Sequence, residues 1–208
     1  MRRFSLGLLL LMLLTVIVSA DSYLGPKGLM TVPTADVSRQ GVAGFGASFT
    51  EDRFYGNIKA AFVENLELGL GGSNYGPVYG FFKWRLVGET PANPGVAVGA
   101  TGSSFYGVVS KNLTNTGLKG HLGYGSERYG GFFGGLSYVV NPVAVSATNT
   151  PVPIITLMGE FKENRHLQES LSAVNFGARF QFTRDFGVDI GLLNFRGLTI
   201  GAYLTTNF

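Results

Sequence analysis

The chain ends in two runs of alternating residues, FGVDIGLL at positions 186–193 and GLTIGAYLTTNF at positions 197–208. Large apolar side chains recur at every second place in both runs, and mostly glycine, threonine or a polar residue stands between them. A period of two is the period of a β-strand, because successive side chains of a strand point to opposite faces. The two runs therefore predict strands with one apolar face each.

The same alternation continues through most of the chain. Six further segments show it clearly, at residues 54–62, 66–70, 78–86, 118–124, 155–162 and 174–181. Four weaker segments fill the gaps, near residues 42–50, 95–101, 105–111 and 131–139. Turn-forming residues separate the segments at 51–53, 72–77, 88–94, 112–117 and 183–185. Residues 41–208 therefore predict an all-β chain of about 12 antiparallel strands, or roughly 10–14 because residues 140–152 are ambiguous.

The two faces of the predicted strands differ in composition. One face is rich in Phe and Leu, whereas the other is mostly Gly, Ala, Ser, Thr and Asn with scattered charges. A sheet in lipid must close on itself, because unpaired edge groups find no water there. We therefore expect a closed transmembrane β-barrel with an apolar outer face. Its lumen-facing candidates are the ionisable residues of the eight clear strands: Lys59, Glu67, Lys83, Arg85, Lys119, His121, Glu160, Lys162, Arg179 and Asp189.

A water-soluble barrel or sandwich would show the same alternation, with its apolar face turned to a core. Its solvent-exposed face would be rich in Lys, Glu and Thr, which is not the composition of the second face here. Charged residues make up only 14% of the chain, against about 25% in ordinary globular domains. The composition therefore favours a membrane barrel.

Residues 1–20 have the pattern of a signal peptide. Arg2 and Arg3 precede an apolar run over 6–18, and Val18-Ser19-Ala20 offers a small-residue cleavage site. The alternative is an N-terminal anchor, but the run is shorter than the roughly 20 residues that a spanning helix needs. Without Arg2 and Arg3 the 16 basic residues become 14, against 13 acidic ones, so no basic surface suggests a nucleic-acid partner.

Residues 21–40 show no sustained alternation and contain Pro26 and Pro33. Two arrangements fit this segment. It can remain in the periplasm as a tether, or it can fold back into the lumen as a plug. The predicted domains are therefore a signal peptide at 1–20, this periplasmic or lumen-plugging segment, and a transmembrane barrel at 41–208.

The last strand resembles the C-terminal signature that the outer-membrane barrel-assembly machinery recognises. Leu198, Ile200, Ala202 and Leu204 alternate up to the terminal Phe208. Thr206 stands where an aromatic residue is usual. We interpret Phe208 as the assembly signal, with the barrel-assembly machinery and the outer-membrane lipid bilayer as the expected partners.

The N-terminal stretch Gly28-Leu29-Met30 with Pro33-Thr34-Ala35 resembles the opening motif of the YjbH-like outer-membrane family, which is associated with exopolysaccharide production. Further short matches follow in the family's order, at 94–100, 109–111, 120–125 and 157–161. The resemblance implies a barrel in the outer membrane. It also implies a role in polysaccharide secretion, which a shared fold does not by itself establish.

Residues for catalysis or metal binding are scarce. The histidines are His121, on a lumen-facing run, and His166, in the polar loop 162–170. That loop could supply a His/Ser/Glu hydrolase site, but we interpret it as an exposed loop of the barrel. The chain has no cysteine, and two distant histidines make no metal site. We expect no enzyme, no cofactor and no metal.

Two functions remain open on sequence grounds. The first is a non-enzymatic barrel that assists export or surface assembly of exopolysaccharide. The second is a narrow diffusion pore, or a structural or adhesive envelope barrel, without a polysaccharide role. Inward aromatic and amide side chains suited to sugar rings favour the first: Tyr55, Asn57, Tyr79, Asn175, Gln181 and Tyr203.

Overall fold

The computed structural model describes residues 21–141, 152–163 and 174–208. The signal peptide predicted at 1–20 and the loop that contains His166 lie outside these residues. Within the described ranges the chain forms twelve strands: β1 Val42–Phe49, β2 Phe54–Val63, β3 Leu66–Ser73, β4 Gly76–Val87, β5 Gly95–Thr101, β6 Ser104–Asn112, β7 Leu118–Gly125, β8 Gly131–Val139, β9 Ile154–Lys162, β10 Val174–Gln181, β11 Phe186–Leu193 and β12 Gly197–Asn207.

The strands form one closed antiparallel barrel in which each strand pairs with its neighbour in the sequence. The barrel closes between the first and last strands, where Phe45 of β1 lies opposite Leu204 of β12. The predicted all-β fold, the closure and the strand count are confirmed. The turn predicted at 72–77 is shorter than expected, because β3 continues to Ser73 and β4 begins at Gly76.

An even number of strands brings both ends of the barrel domain to the same side. We call this side the terminal mouth; it carries Gly41 and Phe208, whose backbones are joined by a hydrogen bond of 2.9 Å. The other side, which begins with the turn at residues 50–53, is the opposite mouth. No helix in the part of the chain that the structure describes is long and apolar enough to cross a membrane.

Glycines on the inner face lie opposite large side chains of the neighbouring strand. Gly69 pairs with Phe81, and Gly123 pairs with Phe133. A Cβ atom on either glycine would approach the ring to 2.3 Å, so each ring occupies the space that a side chain would need. The rings therefore lie against the inner surface of the wall. The same pairing recurs at Gly71–Tyr79, Gly99–Tyr106 and Gly187–Tyr203.

Candidate functional site: the segment inside the barrel

Nine of the ten sequence-predicted lumen residues lie well inside the barrel wall. The side chain of Lys119 is 17% exposed, and Arg85 is half-buried near the terminal mouth. The others are buried: Lys59, Glu67, Lys83, His121, Glu160, Lys162, Arg179 and Asp189.

Residues 21–38 lie inside the barrel. The sequence left open whether this segment is a tether or enters the lumen, and in the structure nearly all of it is buried. Two isolated antiparallel bridges, Asp21–Lys27 and Gly28–Pro33, fold it into a compact double turn. Its apolar side chains Leu24, Met30 and Val32 are fully buried. We call residues 21–38 the inner segment.

Glu160 of β9 binds the innermost turn of this segment. Its carboxylate accepts the backbone N–H of Met30 at 3.0 Å and of Thr31 at 2.9 and 3.0 Å. The Thr31 hydroxyl and the Asn175 amide donate to the same carboxylate, at 2.5 and 2.7 Å. Backbone amides that face an anion in a dry interior satisfy both partners, because neither has water as an alternative.

A second carboxylate, Glu67 of β3, binds the inner segment at two places. It accepts the backbone N–H of Lys27 at 2.7 Å and of Ser38 at 3.0 Å. Lys59 and Lys83 lie 3.6 and 3.5 Å from its oxygens, so the buried charge is compensated. This carboxylate therefore joins the middle and the end of the segment to the wall.

The buried cations of the wall bind the carbonyl groups of the segment. Lys83 donates to the carbonyl oxygens of Lys27, of Thr34 at 3.1 Å and of Asp36 at 2.6 Å. Lys59 forms an ion pair with the Asp21 carboxylate. These ammonium groups bind carbonyl and carboxylate oxygens of the segment, which would otherwise be buried without a partner.

Arg179 of β10 binds both another wall residue and the inner segment. It forms a two-point pair with Asp189, with Nε–Oδ1 and Nη2–Oδ2 distances of 2.7 Å each. Its Nη1 also donates to the Gly28 carbonyl at 3.2 Å. The aspartate thus fixes the guanidinium plane, and the remaining donor faces the inner segment.

Glycines of the wall make room for the apolar side chains of the segment. A Cβ atom at Gly135 would come within 2.5 Å of Leu29. At Gly177 and Gly191 it would come within 2.6 and 2.5 Å of the Met30 sulfur. Larger residues at these three positions would collide with the inner segment. Glycine at these positions therefore leaves the space that Leu29 and Met30 occupy.

Near the terminal mouth, Asp36 leaves the interior beside Lys119. The two side chains form an ion pair with distances of 2.8 and 3.0 Å. Burial alone would raise the pKa of Asp36, but the ammonium groups of Lys119 and Lys27 lower that pKa to about 2. The aspartate is therefore ionised throughout the physiological pH range.

Among the residues that the structure describes, Ser110 and His121 are the nearest approach to a catalytic pair. The Ser110 hydroxyl lies 2.8 Å from His121 Nδ1, but it also accepts the backbone N–H of Ala35 at 2.8 Å. The pair is buried under the inner segment, where it serves as a binding point for that segment. Within the described ranges, no group of three or more His, Asp or Glu side chains is placed to hold a metal ion.

The sequence did not identify the partners of these wall residues. Glu160 and Glu67 bind mainly backbone amides, and a backbone amide has no signature in the sequence. The only available signal was the unusual stretch 22–40 itself, with its polar residues and two prolines before the first strand.

Comparisons with known proteins give similarities to solved structures only. No protein-family model and no curated protein matches the chain. The chain is similar to the outer membrane protein Omp33 of Acinetobacter baumannii, with 12% identity over 82% of this chain and 98% of that one, at a TM-score of 0.46. It is also similar to the N-terminal β-barrel domain of Pseudomonas aeruginosa OprF, with 12% identity, 82% and 100% coverage and a TM-score of 0.24. A de novo designed transmembrane β-barrel matches with 12% identity, 81% and 98% coverage and a TM-score of 0.24.

The outer face of the barrel is apolar across neighbouring strands. Leu204, Phe45, Ile58 and Leu70 lie side by side on β12, β1, β2 and β3, and each is about half exposed. Lys111 of β6 is on this face, but it lies at the terminal mouth and binds the carbonyls of the loop at 90–91. Exposing an apolar surface of this extent to water is unfavourable, whereas contact with lipid hydrocarbon is not. The chain is a transmembrane β-barrel.

Proposed function

We propose that this barrel is a closed, non-enzymatic component of the outer membrane, and that the inner segment keeps its lumen shut. The observation that carries the proposal is the buried Glu160 carboxylate bound to the backbone N–H groups of Met30 and Thr31. A scaffold or anchoring role in the envelope fits such a barrel, because its own inner segment occupies the lumen.

The energetics favour a segment that stays in place. If it left, Glu160, Glu67 and Lys83 would face the lumen with fewer partners, and the backbone groups they bind would need water. Breaking one buried charged contact typically costs several kcal/mol. A narrow diffusion pore, the other form of this hypothesis, would require those contacts to break or a path to exist around them.

Assistance to exopolysaccharide export is the second candidate. It is supported by the resemblance of residues 28–35 to the YjbH-like family, and by Tyr79, which stays half-exposed at the opposite mouth with the Arg128 guanidinium 4.4 Å from its ring centroid. In a closed barrel a polymer would contact a mouth and would not pass through the lumen. Polysaccharide secretion measured in a strain that lacks the protein tests this candidate; unchanged secretion would argue against it.

Conductance across planar bilayers tests the closed state. The refolded full-length protein should show no steady conductance, whereas deletion of residues 22–40 should open a small one. Channel activity of the full-length protein would contradict the proposal. Folding of both forms is checked by the shift of a folded barrel on unheated gels.

A second measurement covers the case in which the deletion does not fold. Met30→Cys introduces a thiol at a fully buried position of a chain that has no cysteine. In the folded barrel this thiol should resist a membrane-impermeant maleimide, and a thiol introduced by Tyr75→Cys, at an exposed turn, should react quickly. Equal labelling would mean that the segment leaves the lumen.

A further inference from the structure

A polar cavity of about 450 Å³ opens at the terminal mouth, where the inner segment leaves the barrel. The turn between β2 and β3 and the end of β4 form its other walls. Its polar lining residues carry three positive and two negative charges: Lys27, Asp36, Ser38, Arg39, Gln40, Glu64, Asn65 and Arg85.

Lys27 is the unusual member of this lining. Its side chain is 5% exposed, and its backbone is used fully: the N–H donates to Glu67, and the carbonyl accepts from Lys83 and from the Thr34 N–H. Among the described residues, its ammonium has no hydrogen-bond acceptor. The side chain is buried while its ammonium reaches the cavity, so a ligand that supplies an acceptor there would bind favourably.

Asp36 and Glu67, the two carboxylates that attract the Lys27 ammonium, already have other partners. Asp36 is bound to Lys119 at 2.8 and 3.0 Å. Glu67 accepts two backbone N–H groups and lies beside Lys59 and Lys83. Both carboxylates attract the Lys27 ammonium electrostatically, but neither hydrogen-bonds to it, so the cavity is where an acceptor can reach this group.

Arg85 supplies a second cation, with a fixed orientation. Asn65 Oδ1 accepts from its Nε at 2.9 Å and from its Nη2 at 2.5 Å, which holds the guanidinium in place. The remaining guanidinium N–H groups are available to a ligand. A preoriented guanidinium is well suited to an oxyanion, because its donors match two oxygens at once.

We propose that this cavity binds the oxyanion group, carboxylate or phosphate, of a small polar ligand that enters from the terminal mouth. Lys27 supplies the principal contact, Arg85 the second, and Arg39 adds positive charge at the entrance. The volume lies within the range of small-molecule sites, roughly 300–1,000 Å³, so a ligand the size of a monosaccharide fits beside the anion. The proposal is independent of whether the lumen conducts.

Calorimetric titration of the full-length protein in a detergent without phosphate tests this site. The probes are inorganic phosphate, glucuronate as a carboxylate of sugar size, and glucose as its uncharged counterpart. Glucuronate, phosphate or both should bind, and glucose should not. If neither anion binds at about 10 mM, or if glucose binds as well as glucuronate, the proposal is wrong.

Variants assign the binding to Lys27. Lys27→Met should weaken anion binding by about tenfold or more, and Arg85→Gln should weaken it less. Lys111→Met is the matched control, because it removes a lysine from the same mouth outside the cavity. An equal loss in the control would show general charge attraction and overturn the site. The folded-barrel gel shift checks each variant, and if Lys27→Met does not fold, Lys27→Arg keeps the charge and should retain binding.

Discussion

The Glu160 carboxylate accepts the backbone N–H of Thr31 with both oxygens, at 2.9 and 3.0 Å, although 129 positions separate the two residues. The contact joins the ninth strand to the innermost turn of a segment that precedes the first strand. It is therefore one of the contacts that hold the inner segment against the barrel wall.

Glu160→Gln should loosen the inner segment while the barrel still forms. The amide replaces one accepting oxygen by a donor, which would face the N–H groups of Met30 and Thr31. We expect a loss of roughly 2–3 kcal/mol in the free energy of unfolding, measured by urea titration in detergent. Glu51→Gln, at an exposed turn, is the control and should leave it unchanged. A wild-type value for Glu160→Gln would mean that this contact is weak.

An engineered disulfide should lock the segment to the wall. A Cβ atom at Gly95 would lie 3.6 Å from the Ala35 Cβ, within the distance that a disulfide requires. Ala35→Cys with Gly95→Cys should therefore oxidise readily. The locked protein should match the wild type in bilayer conductance and in polysaccharide secretion. Loss of activity on oxidation, with recovery on reduction and no effect in the single variants, would show that the segment has to move.

Gly123→Ala should destabilise the barrel, because its new methyl group would meet the Phe133 ring at 2.3 Å. The expected cost is about 1–3 kcal/mol, as for other overpacked sites. Gly107→Ala is the matched control on the adjacent strand, where no atom lies within 4 Å of the added Cβ. Refolding titrations of the two variants should differ clearly, and equal values would show that the ring adapts freely.

Ile190→Lys should cost about 2–4 kcal/mol, because it places a charge in hydrocarbon near the middle of β11. Ile190→Leu, which keeps the position apolar, should be close to neutral. Refolding into lipid vesicles gives both free energies. The neighbouring inward position 187 is not a suitable comparison, because a side chain there would meet the Tyr203 hydroxyl at 2.1 Å. A tolerated lysine at 190 would mean that this face does not contact lipid.

Phe208→Ser should reduce the amount of assembled barrel in cells, and refolding of the purified protein should be little affected. The residue is exposed, and its ring contacts Phe62 with centroids 5.5 Å apart. Phe62→Ser removes the other ring of the same contact and serves as the control for lost packing. If both variants assemble at the same rate, Phe208 has no signalling role beyond that contact.

The period of two and the composition of the two faces determined the wall. The alternation in 174–180 and 186–208 is local, and a strand turns successive side chains to opposite faces whatever lies around it. Lipid then requires the apolar face outside and every strand edge paired, so closure follows from the composition of the faces. This is why Arg179 and Asp189 could be placed inside from the sequence, and why the weaker strands such as 131–139 fitted into the same barrel.

The contents of the barrel were decided by tertiary structure. Residues 21–38 have no period to indicate where they lie, and their contacts with Glu160, Glu67 and Lys83 run through backbone N–H and carbonyl groups that every residue has. An inward charge count from the strands alone could not include Asp21 and Asp36, which pair with Lys59 and Lys119. Which groups meet inside a closed wall depends on how the chain folds back through it, and local sequence does not encode that path.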